Sequence, residues 1–152
     1  MKIAVAADHE GYLLRREVVD ALHKDGHDVL DLGVDSPEPV DYPDSARAVA
    51  TAVRDGSAER GILICGSGAG VCVAAGKFPG ILAATAHDTF TAHQAVEHDD
   101  VNVLCMGSNV VGKWLALDIV RAFVGARFSG VERHRRRVGK VREIEREFLK
   151  EV

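Results

Sequence analysis

The chain has 152 residues, of which 47% are hydrophobic and 28% charged, and its formal net charge is -4. These values fit one globular domain, residues 1–152, with a hydrophobic core. They argue against a nucleic-acid partner, since proteins that bind nucleic acid are usually basic. No apolar run approaches the roughly 18 residues of a membrane span, and no leader pattern opens the chain, so neither a membrane partner nor a signal peptide is predicted.

The chain contains three cysteines, Cys65, Cys72 and Cys105. An odd number cannot all pair, and none of them lies in a Cys-x-x-Cys pattern. This usage is typical of a reducing compartment, so we expect free thiols and a cytoplasmic location. Cys72 and Cys105 fall within the bodies of a predicted helix and a predicted strand, where we expect them to be chemically inert.

Five short apolar segments predict β-strands, because each is bounded by glycine, proline or polar residues. In chain order they cover residues 2–7, 27–32, 61–65, 80–84 and 102–106. The second segment is more polar than the others, so we expect it near an edge of the sheet.

Helices are predicted between these strands from apolar residues that recur every three or four positions. In chain order, the inner faces carry Leu14, Val18 and Leu22; Ala46, Val49, Ala50 and Val53; Phe90 and Ala95; and Leu115, Ile119 and Phe123. Asp44 or Ser45 is expected to cap the second helix, and a short helix begins near Val71. The next two helices cover 87–97 and 111–124.

This alternation predicts an α/β fold, a three-layer α/β/α domain with a doubly wound, Rossmann-like, five-stranded parallel sheet. An extra C-terminal helix over about 131–151 has one apolar face, made of Val138, Val141, Ile144 and Phe148. No strand follows this helix, so it can lie on its own domain or reach a second subunit.

The charge is unevenly distributed. Residues 131–152 hold eight Lys or Arg against five Glu, a net +3, which leaves -7 for residues 1–130. The basic tail is therefore expected to meet an acidic face of its own fold, a second subunit or a small anion.

Ligands bind such sheets where the strands end, near the point at which the strand order reverses. Polar or glycine-rich positions follow every strand at that edge: Asp8 and His9, Tyr42, residues 65–70, His87 and Asn109. We expect these positions to converge on one site.

The stretch over residues 61–70 is the centre of this expectation. A buried strand ends at Cys65, and Gly66, Gly68 and Gly70 form a turn into a helix N-terminus, an arrangement that attracts anions. The same field favours a thiolate at Cys65. The alternative is that Cys65 is a small buried core residue, as free cysteines often are.

Other site types fit the sequence less well. The third glycine of a dinucleotide fingerprint would fall on Val71, and Lys77 is followed by Phe78 rather than by the Ser or Thr of a phosphate loop. His93 lies six residues after His87 and five before His98, so neither pair has the i,i+4 spacing that suits a metal. His23 and His27 bracket a helix end and are expected to be solvated, so no metal site is predicted.

A basic run, residues 133–137, opens the last helix. Arg133 and Arg137 share a face at i,i+4, where two guanidinium groups can grip a phosphate. Arg135 and Arg136 are expected to be solvated.

The chain resembles the family of type B ribose-5-phosphate isomerases and galactose-6-phosphate isomerase subunits over residues 1–144, nearly its whole length. The motifs that carry the resemblance are Asp8-His9, Asp41-Tyr42-Pro43, the block G-I-L-I-C-G-S-G-A-G at 61–70, His98, Asn102-Val103-Leu104, Gly107-Ser108, Arg133-His134 and Arg137. The resemblance implies aldose–ketose isomerisation of a phosphorylated sugar through a cis-enediolate, without metal or organic cofactor. It also implies a homodimer or homotetramer.

The resemblance implies roles for single residues. Cys65 would move the proton between C2 and C1. Some relatives instead use a glutamate four residues further along the chain, but that position is Ala69 here, so the thiol is the only candidate base. Ser67 would assist ring opening or proton shuttling, and the N–H groups of the 66–70 turn would stabilise the enediolate oxygen. His98 matches the ring-opening histidine of one branch and His134 that of another.

The resemblance also implies binding roles: Asp8 would hold a sugar hydroxyl, and His9, Arg133 and Arg137 would face the phosphate. Tyr42 belongs to the same set of substrate-binding positions.

The sequence departs from the family pattern at three positions. The family often has Arg where Asn109 stands, Asn where Asp99 stands and Asn at Gly76. The first two changes make the pocket less cationic, so a tetrose phosphate, a hexose phosphate or a free sugar is an alternative substrate. A sugar-phosphate-binding module or a non-catalytic subunit are the alternatives to an enzyme.

Overall fold

A computed structural model describes residues 1–149. The strands are β1 (Lys2–Ala7), β2 (Asp28–Asp31), β3 (Arg60–Cys65), β4 (Ala83–Thr85) and β5 (Val103–Gly107). The helices are α1 (Tyr12–Lys24), α2 (Tyr42–Arg54), α3 (Ala69–Ala75), α4 (Thr89–Asp99), α5 (Lys113–Gly125) and α6 (Glu132–Phe148). The predicted α/β fold with an extra C-terminal helix is confirmed, and the end of that predicted helix lies outside the described residues.

The five strands form one all-parallel sheet in the order β2-β1-β3-β5-β4. The chain first moves outward from β1 to β2 and then returns to place β3 on the other side of β1. The strand order therefore reverses between β1 and β3, where a crevice opens beyond their carboxyl ends. In the register, Ala7 pairs with Ile64, and Cys65 pairs with Gly107, so the ends of β1, β3 and β5 meet at one edge.

Hydrophobic clusters cover both faces of the sheet. In β3, Ile62 and Ile64 belong to the cluster under α1, α4 and α5. Leu63 and Cys65 point to the other cluster, under α2 and α3. Because side chains alternate along a strand, the last residue of β3 faces α3 and the turn that precedes it.

Helix α2 begins earlier than predicted. Its first residue is Tyr42 and its N-cap is Asp41, rather than Asp44 or Ser45. Pro43 permits this start, since the first turn of a helix does not need the missing N–H. The Ser45 hydroxyl instead donates to a backbone carbonyl at the end of β1, 3.0 Å away.

Strand β4 is shorter than the predicted segment 80–84. Gly80 has a φ of 85°, which an extended strand does not adopt. The Asn102 side chain holds this part of the loop, because its Nδ2 donates to the Gly80 carbonyl and its Oδ1 accepts from the Leu82 N–H, each at 2.9 Å.

Helix α4 is displaced by two residues from the predicted 87–97. Asp88 is its N-cap, and the Asp88 carboxylate accepts the N–H of the third helical residue at 2.6 Å. His87 therefore lies in the loop before the helix, and His98 lies in its last turn.

Two residues predicted to face inward, Phe90 and Leu115, are exposed, at 70% and 44%. Both lie in the first turn of a helix at the carboxyl edge of the sheet, beyond the reach of the strands. The predicted inner residues further along α4 and α5, Ala95, Ile119 and Phe123, are buried. Among the described residues, no helix combines the length and apolarity needed to cross a membrane.

Candidate active site

The turn after β3 has a geometry that depends on glycine. Gly68, the N-cap of α3, has a φ of 78°, in the left-handed region that other residues rarely adopt. A Cβ atom on Gly68 would lie 2.8 Å from the carbonyl carbon of Met106. The turn is therefore fixed both by its own backbone and by its packing on β5.

Cys65 and Ser67 accept hydrogen bonds from this turn. The Cys65 side chain is 4% exposed, and its Sγ accepts the Gly68 N–H at 3.2 Å. The Ser67 Oγ accepts the Ala69 N–H at 3.2 Å. Two N–H groups of the turn thus serve the turn's own side chains, which leaves fewer donors for a bound oxyanion than the sequence predicts.

Two side chains flank the turn closely enough to require its glycines. A Cβ atom on Gly66 would lie 3.1 Å from the Asn109 side-chain nitrogen, and one on Gly70 would lie 3.0 Å from the Tyr42 ring. The Asn109 N–H also donates to the Gly66 carbonyl at 3.0 Å. The structure therefore brings Tyr42 and Asn109 to the turn, as predicted.

Asp8 and His9 extend from the end of β1 at the same edge. The buried Asp8 carboxylate accepts the N–H groups of Glu10 and Gly11 at 2.9 and 3.2 Å, so it shapes the loop after β1. The His9 Nδ1 accepts the Val40 N–H at 3.2 Å, which ties the loop before α2 to this edge.

The far side of the turn rests on β5 and β4. A Cβ atom on Gly107 would lie 2.6 Å from the Ser67 carbonyl carbon, and the Gly107 N–H donates to His87 Nε2 at 2.8 Å. The Thr85 hydroxyl donates to the Gly68 carbonyl at 2.9 Å. The sequence places His87 and Gly107 near the site, but nothing in it marks Thr85, which ends a three-residue strand.

The remaining predicted residues form a second cluster where α4 ends and α6 begins. The His98 and His134 rings stack with their centroids 4.1 Å apart, and Ser129 Oγ lies 2.6 Å from His134 Nδ1. Asp99 and Arg137 line a cavity of about 330 Å³ with apolar side chains that precede β4 and β5. Arg133 is exposed one turn before Arg137 on α6.

The two clusters lie at opposite edges of the sheet. Helix α4 leaves the carboxyl end of β4 and returns to the amino end of β5, so His98 and Asp99 are at the amino edge. Four steps along β5, at about 3.3 Å each, separate the edges by about 13 Å. Within one subunit, His98, Asp99, Arg133, His134 and Arg137 therefore do not meet Cys65.

His134 is 4% exposed, and burial is the main cause that lowers its pKa. The charges of His98, Arg133 and Arg137 also lower the pKa of His134, and Asp99 opposes them. His134 is therefore neutral at pH 7.

The half-buried Cys72 differs from the inert thiol that the sequence predicts. A hydrogen bond with Cys105 lowers the pKa of Cys72 to about 6, burial acts in the opposite direction, and the Thr85 backbone N–H makes a smaller lowering contribution. The same contact and burial raise the pKa of Cys105. The contact thus favours the thiolate at Cys72 and the thiol at Cys105.

The model of the family described as Ribose/Galactose Isomerase matches residues 3–141. Ribose-5-phosphate isomerase B of Escherichia coli is 45% identical over 95% of this chain and 96% of its own. D-erythrulose-4-phosphate isomerase of Pectobacterium atrosepticum is 39% identical over 86% of each chain. The structure of Clostridium thermocellum ribose-5-phosphate isomerase B superimposes with a TM-score of 0.95 at 49% identity, over 97% of this chain and 99% of that one. The chain therefore belongs to the ribose/galactose isomerase family.

Proposed function

We propose that the protein interconverts D-ribose 5-phosphate and D-ribulose 5-phosphate, with Cys65 as the base. The observation that carries this proposal is the Cys65 thiol at the carboxyl end of β3, held at 3.2 Å by the Gly68 N–H beside the Ser67 hydroxyl. The backbone donor fixes the sulfur at the strand end, within the turn where the sugar is proposed to bind. The family membership and the relatives named above support the same reaction.

In the proposed reaction the sugar ring opens first. The Cys65 thiolate then takes the proton from C2, the C–H electron pair becomes the C1–C2 double bond, and O1 becomes the enediolate oxygen. Ser67 passes the O2 proton to O1, the carbonyl forms at C2, and Cys65 returns its proton to C1. The N–H groups of the turn that do not donate to Cys65 or Ser67 stabilise the enediolate oxygen.

We further propose that the site is completed by a second copy of the chain, in a homodimer or homotetramer. The partner would supply His98 for ring opening and Arg133 and Arg137 for the phosphate, opposite His9. The separation of the two clusters within one subunit supports this arrangement. In residues 1–149 neither Arg133 nor Arg137 takes part in an ion pair, which leaves both guanidinium groups available for a phosphate.

Exposed apolar side chains support an interface at the carboxyl edge. They lie just beyond the strand ends and at the starts of α1, α4 and α5: Leu13, Phe90, Val110 and Trp114. On α6, Val141, Ile144 and Phe148 are also exposed, although they form the apolar face of that helix. A partner subunit would cover such surfaces, which are costly to leave in water.

Between the two histidines, we assign ring opening to His98. Its side chain is 35% exposed, so a sugar can reach it, whereas His134 is buried and held by Ser129. His134 would then orient the His98 ring by stacking on it.

A tetrose phosphate is the second candidate substrate. Asn109 contacts the turn without a positive charge, and Asp99 lines the cavity beside Arg137, so the site is less cationic than the family pattern. The similarity to D-erythrulose-4-phosphate isomerase favours this candidate over a hexose phosphate or a free sugar.

A location in the cytoplasm is part of the proposal. All three cysteines are free, which fits the reducing compartment that the sequence predicts.

The test is isomerase activity of the purified protein on a panel of phosphorylated and free aldoses, followed by ketose detection. Ribose 5-phosphate should have the highest kcat/KM, and Cys65→Ala should lower it by about 100- to 10,000-fold, the range of a lost general base. Substrate binding should persist in Cys65→Ala. Absence of isomerase activity on every aldose of the panel would favour a binding module. Unchanged activity in Cys65→Ala would show that another group is the base.

A further inference from the structure

Thr85 joins the active-site turn to the edge of the sheet. It is the last residue of β4, and residues two apart on a strand face the same way. Its side chain therefore points to the face on which Ala83 packs with Cys65 and Cys105. From there the Thr85 hydroxyl donates to the Gly68 carbonyl oxygen, 2.9 Å away and 17 positions back in the chain.

Gly68 is the residue whose orientation this bond controls. Its φ of 78° lies in the left-handed region, and as the N-cap of α3 its carbonyl stands at the start of the helix. The peptide before Gly68 is fixed by its N–H, which donates to Cys65 Sγ at 3.2 Å. The carbonyl of the peptide after Gly68 accepts the Thr85 hydroxyl, so each of the two peptide planes of Gly68 is contacted by one side chain.

Peptide planarity carries the effect of Thr85 to Ser67. In a trans peptide the C=O and the following N–H point in opposite directions. The Gly68 carbonyl is directed at Thr85, so the Ala69 N–H is turned the other way, and it donates to Ser67 Oγ at 3.2 Å. One threonine hydroxyl thus helps to set the position of Ser67, and through the shared Gly68 Cα it supports the turn that holds Cys65.

We propose that Thr85 is a positioning residue for the isomerisation, and that its hydroxyl fixes the peptide plane whose N–H holds Ser67, next to the plane whose N–H holds Cys65. This inference rests on the proposed roles of those two residues. Thr85 acts through Gly68 rather than on the sugar.

The test compares Thr85→Val, which keeps the shape and removes the hydroxyl, with Thr85→Ser, which keeps the hydroxyl. The matched control is Thr51→Val on the exposed face of α2. Thr85→Val should lower kcat for ribose 5-phosphate about tenfold and change KM by less than about twofold, because only the alignment of the reacting groups is lost. Thr85→Ser should recover most of kcat, and Thr51→Val should match the unmodified protein.

Thermal unfolding is measured on all three variants, and activity is assayed well below the lowest Tm. A lower Tm with unchanged kcat in Thr85→Val would make Thr85 a stability residue and overturn the inference, as would a Thr85→Ser variant no better than Thr85→Val. The Cys65→Ala variant distinguishes a failure of the proposed function from a failure of the Thr85 inference. If Cys65→Ala keeps its turnover, the proposed function fails, whereas an inactive Cys65→Ala beside a normal Thr85→Val removes the Thr85 inference alone.

Discussion

At the scale of single residues, the surroundings of each cysteine determine its chemistry. Cys65 ends β3 and meets a backbone N–H of the turn, whereas Cys105 lies inside β5 with its thiol buried. Cys72 is on α3, and its side chain forms a hydrogen bond with that of Cys105. Three residues of one type therefore have three different environments, which their positions in the sequence only partly indicate.

The lowered pKa of Cys72 predicts its alkylation. The rate of iodoacetamide labelling at Cys72 should rise with pH and reach half its maximum near pH 6, because only the thiolate reacts. Labelling of each cysteine is followed by mass spectrometry of its peptide. Cys105 is the internal control and should remain unlabelled while the protein is folded. A midpoint for Cys72 near the ordinary value of 9.0 would contradict the prediction.

The lowered pKa of His134 predicts a pH dependence of stability. The unfolded chain protonates this ring at its ordinary value of 6.5, but the folded protein does so only at lower pH. The contribution of His134 to the free energy of unfolding is therefore complete above about pH 6.5 and is lost as the pH falls toward the folded pKa.

The measurement is Tm at about pH 7.5 and about pH 5.5 for the unmodified protein and for His134→Gln, which keeps polar atoms but does not titrate. The decrease in Tm on acidification should be smaller in His134→Gln. Equal decreases would show that other groups cause the acid sensitivity.

At the scale of elements, α6 is held at a few points only. Arg142 pairs with Asp100 at 2.9 Å, and the Glu145 carboxylate accepts the Gly80 N–H at 2.9 Å. Of its side chains, His134 and Val138 are buried. Within residues 131–149 the basic tail thus pairs with one acidic residue outside its own helix and keeps most of its cationic and apolar surface exposed, as an interface helix would.

The proposed phosphate grip of α6 predicts a change in KM. Arg137→Ala should raise KM for ribose 5-phosphate by about 10- to 150-fold, since a lost charge-assisted hydrogen bond costs about 1.5–3 kcal/mol. The comparison substrate is an unphosphorylated aldose, for which kcat/KM should barely change. Arg135→Ala, at an exposed position two residues away, is the control and should leave both unchanged. Equal losses for both substrates would mean that Arg137 supports the fold instead.

At the scale of the whole molecule, the fold separates the groups that the proposed reaction needs. All five strands run the same way, so β3 delivers Cys65 to one edge while α4 delivers His98 to the other. In a symmetric dimer the same pair of surfaces meets twice. Each copy can therefore place its amino-edge residues against the carboxyl edge of the other copy. The assembly would then be part of the catalyst rather than an addition to it.

This arrangement predicts complementation between two impaired variants, assayed at a ribose 5-phosphate concentration well below the KM of Arg137→Ala. Cys65→Ala and Arg137→Ala subunits, mixed equally by co-expression, should form hybrid dimers in which one of the two sites is intact. About a quarter of all sites would then be complete, and activity should return to about that fraction. Light scattering at micromolar concentration should give at least twice the mass of the chain.

The control mixture combines Cys65→Ala with Ser67→Ala, whose changes lie at the same edge, and it should recover nothing. Recovery in neither mixture, or a monomeric mass, would place the whole site within one subunit.

By itself, the sequence determined the fold class and the centre of the site. Apolar strand segments, helical spacing and the glycines around Cys65 depend on local periodicity and backbone freedom, which a single chain displays directly. Tertiary structure decided what depends on strand order and direction: the amino-edge position of His98 and Arg137, the exposure of Phe90, and the bond from Thr85 to the turn. These features arise because parallel packing brings distant segments together or holds them apart, and residue spacing along the chain does not encode that geometry.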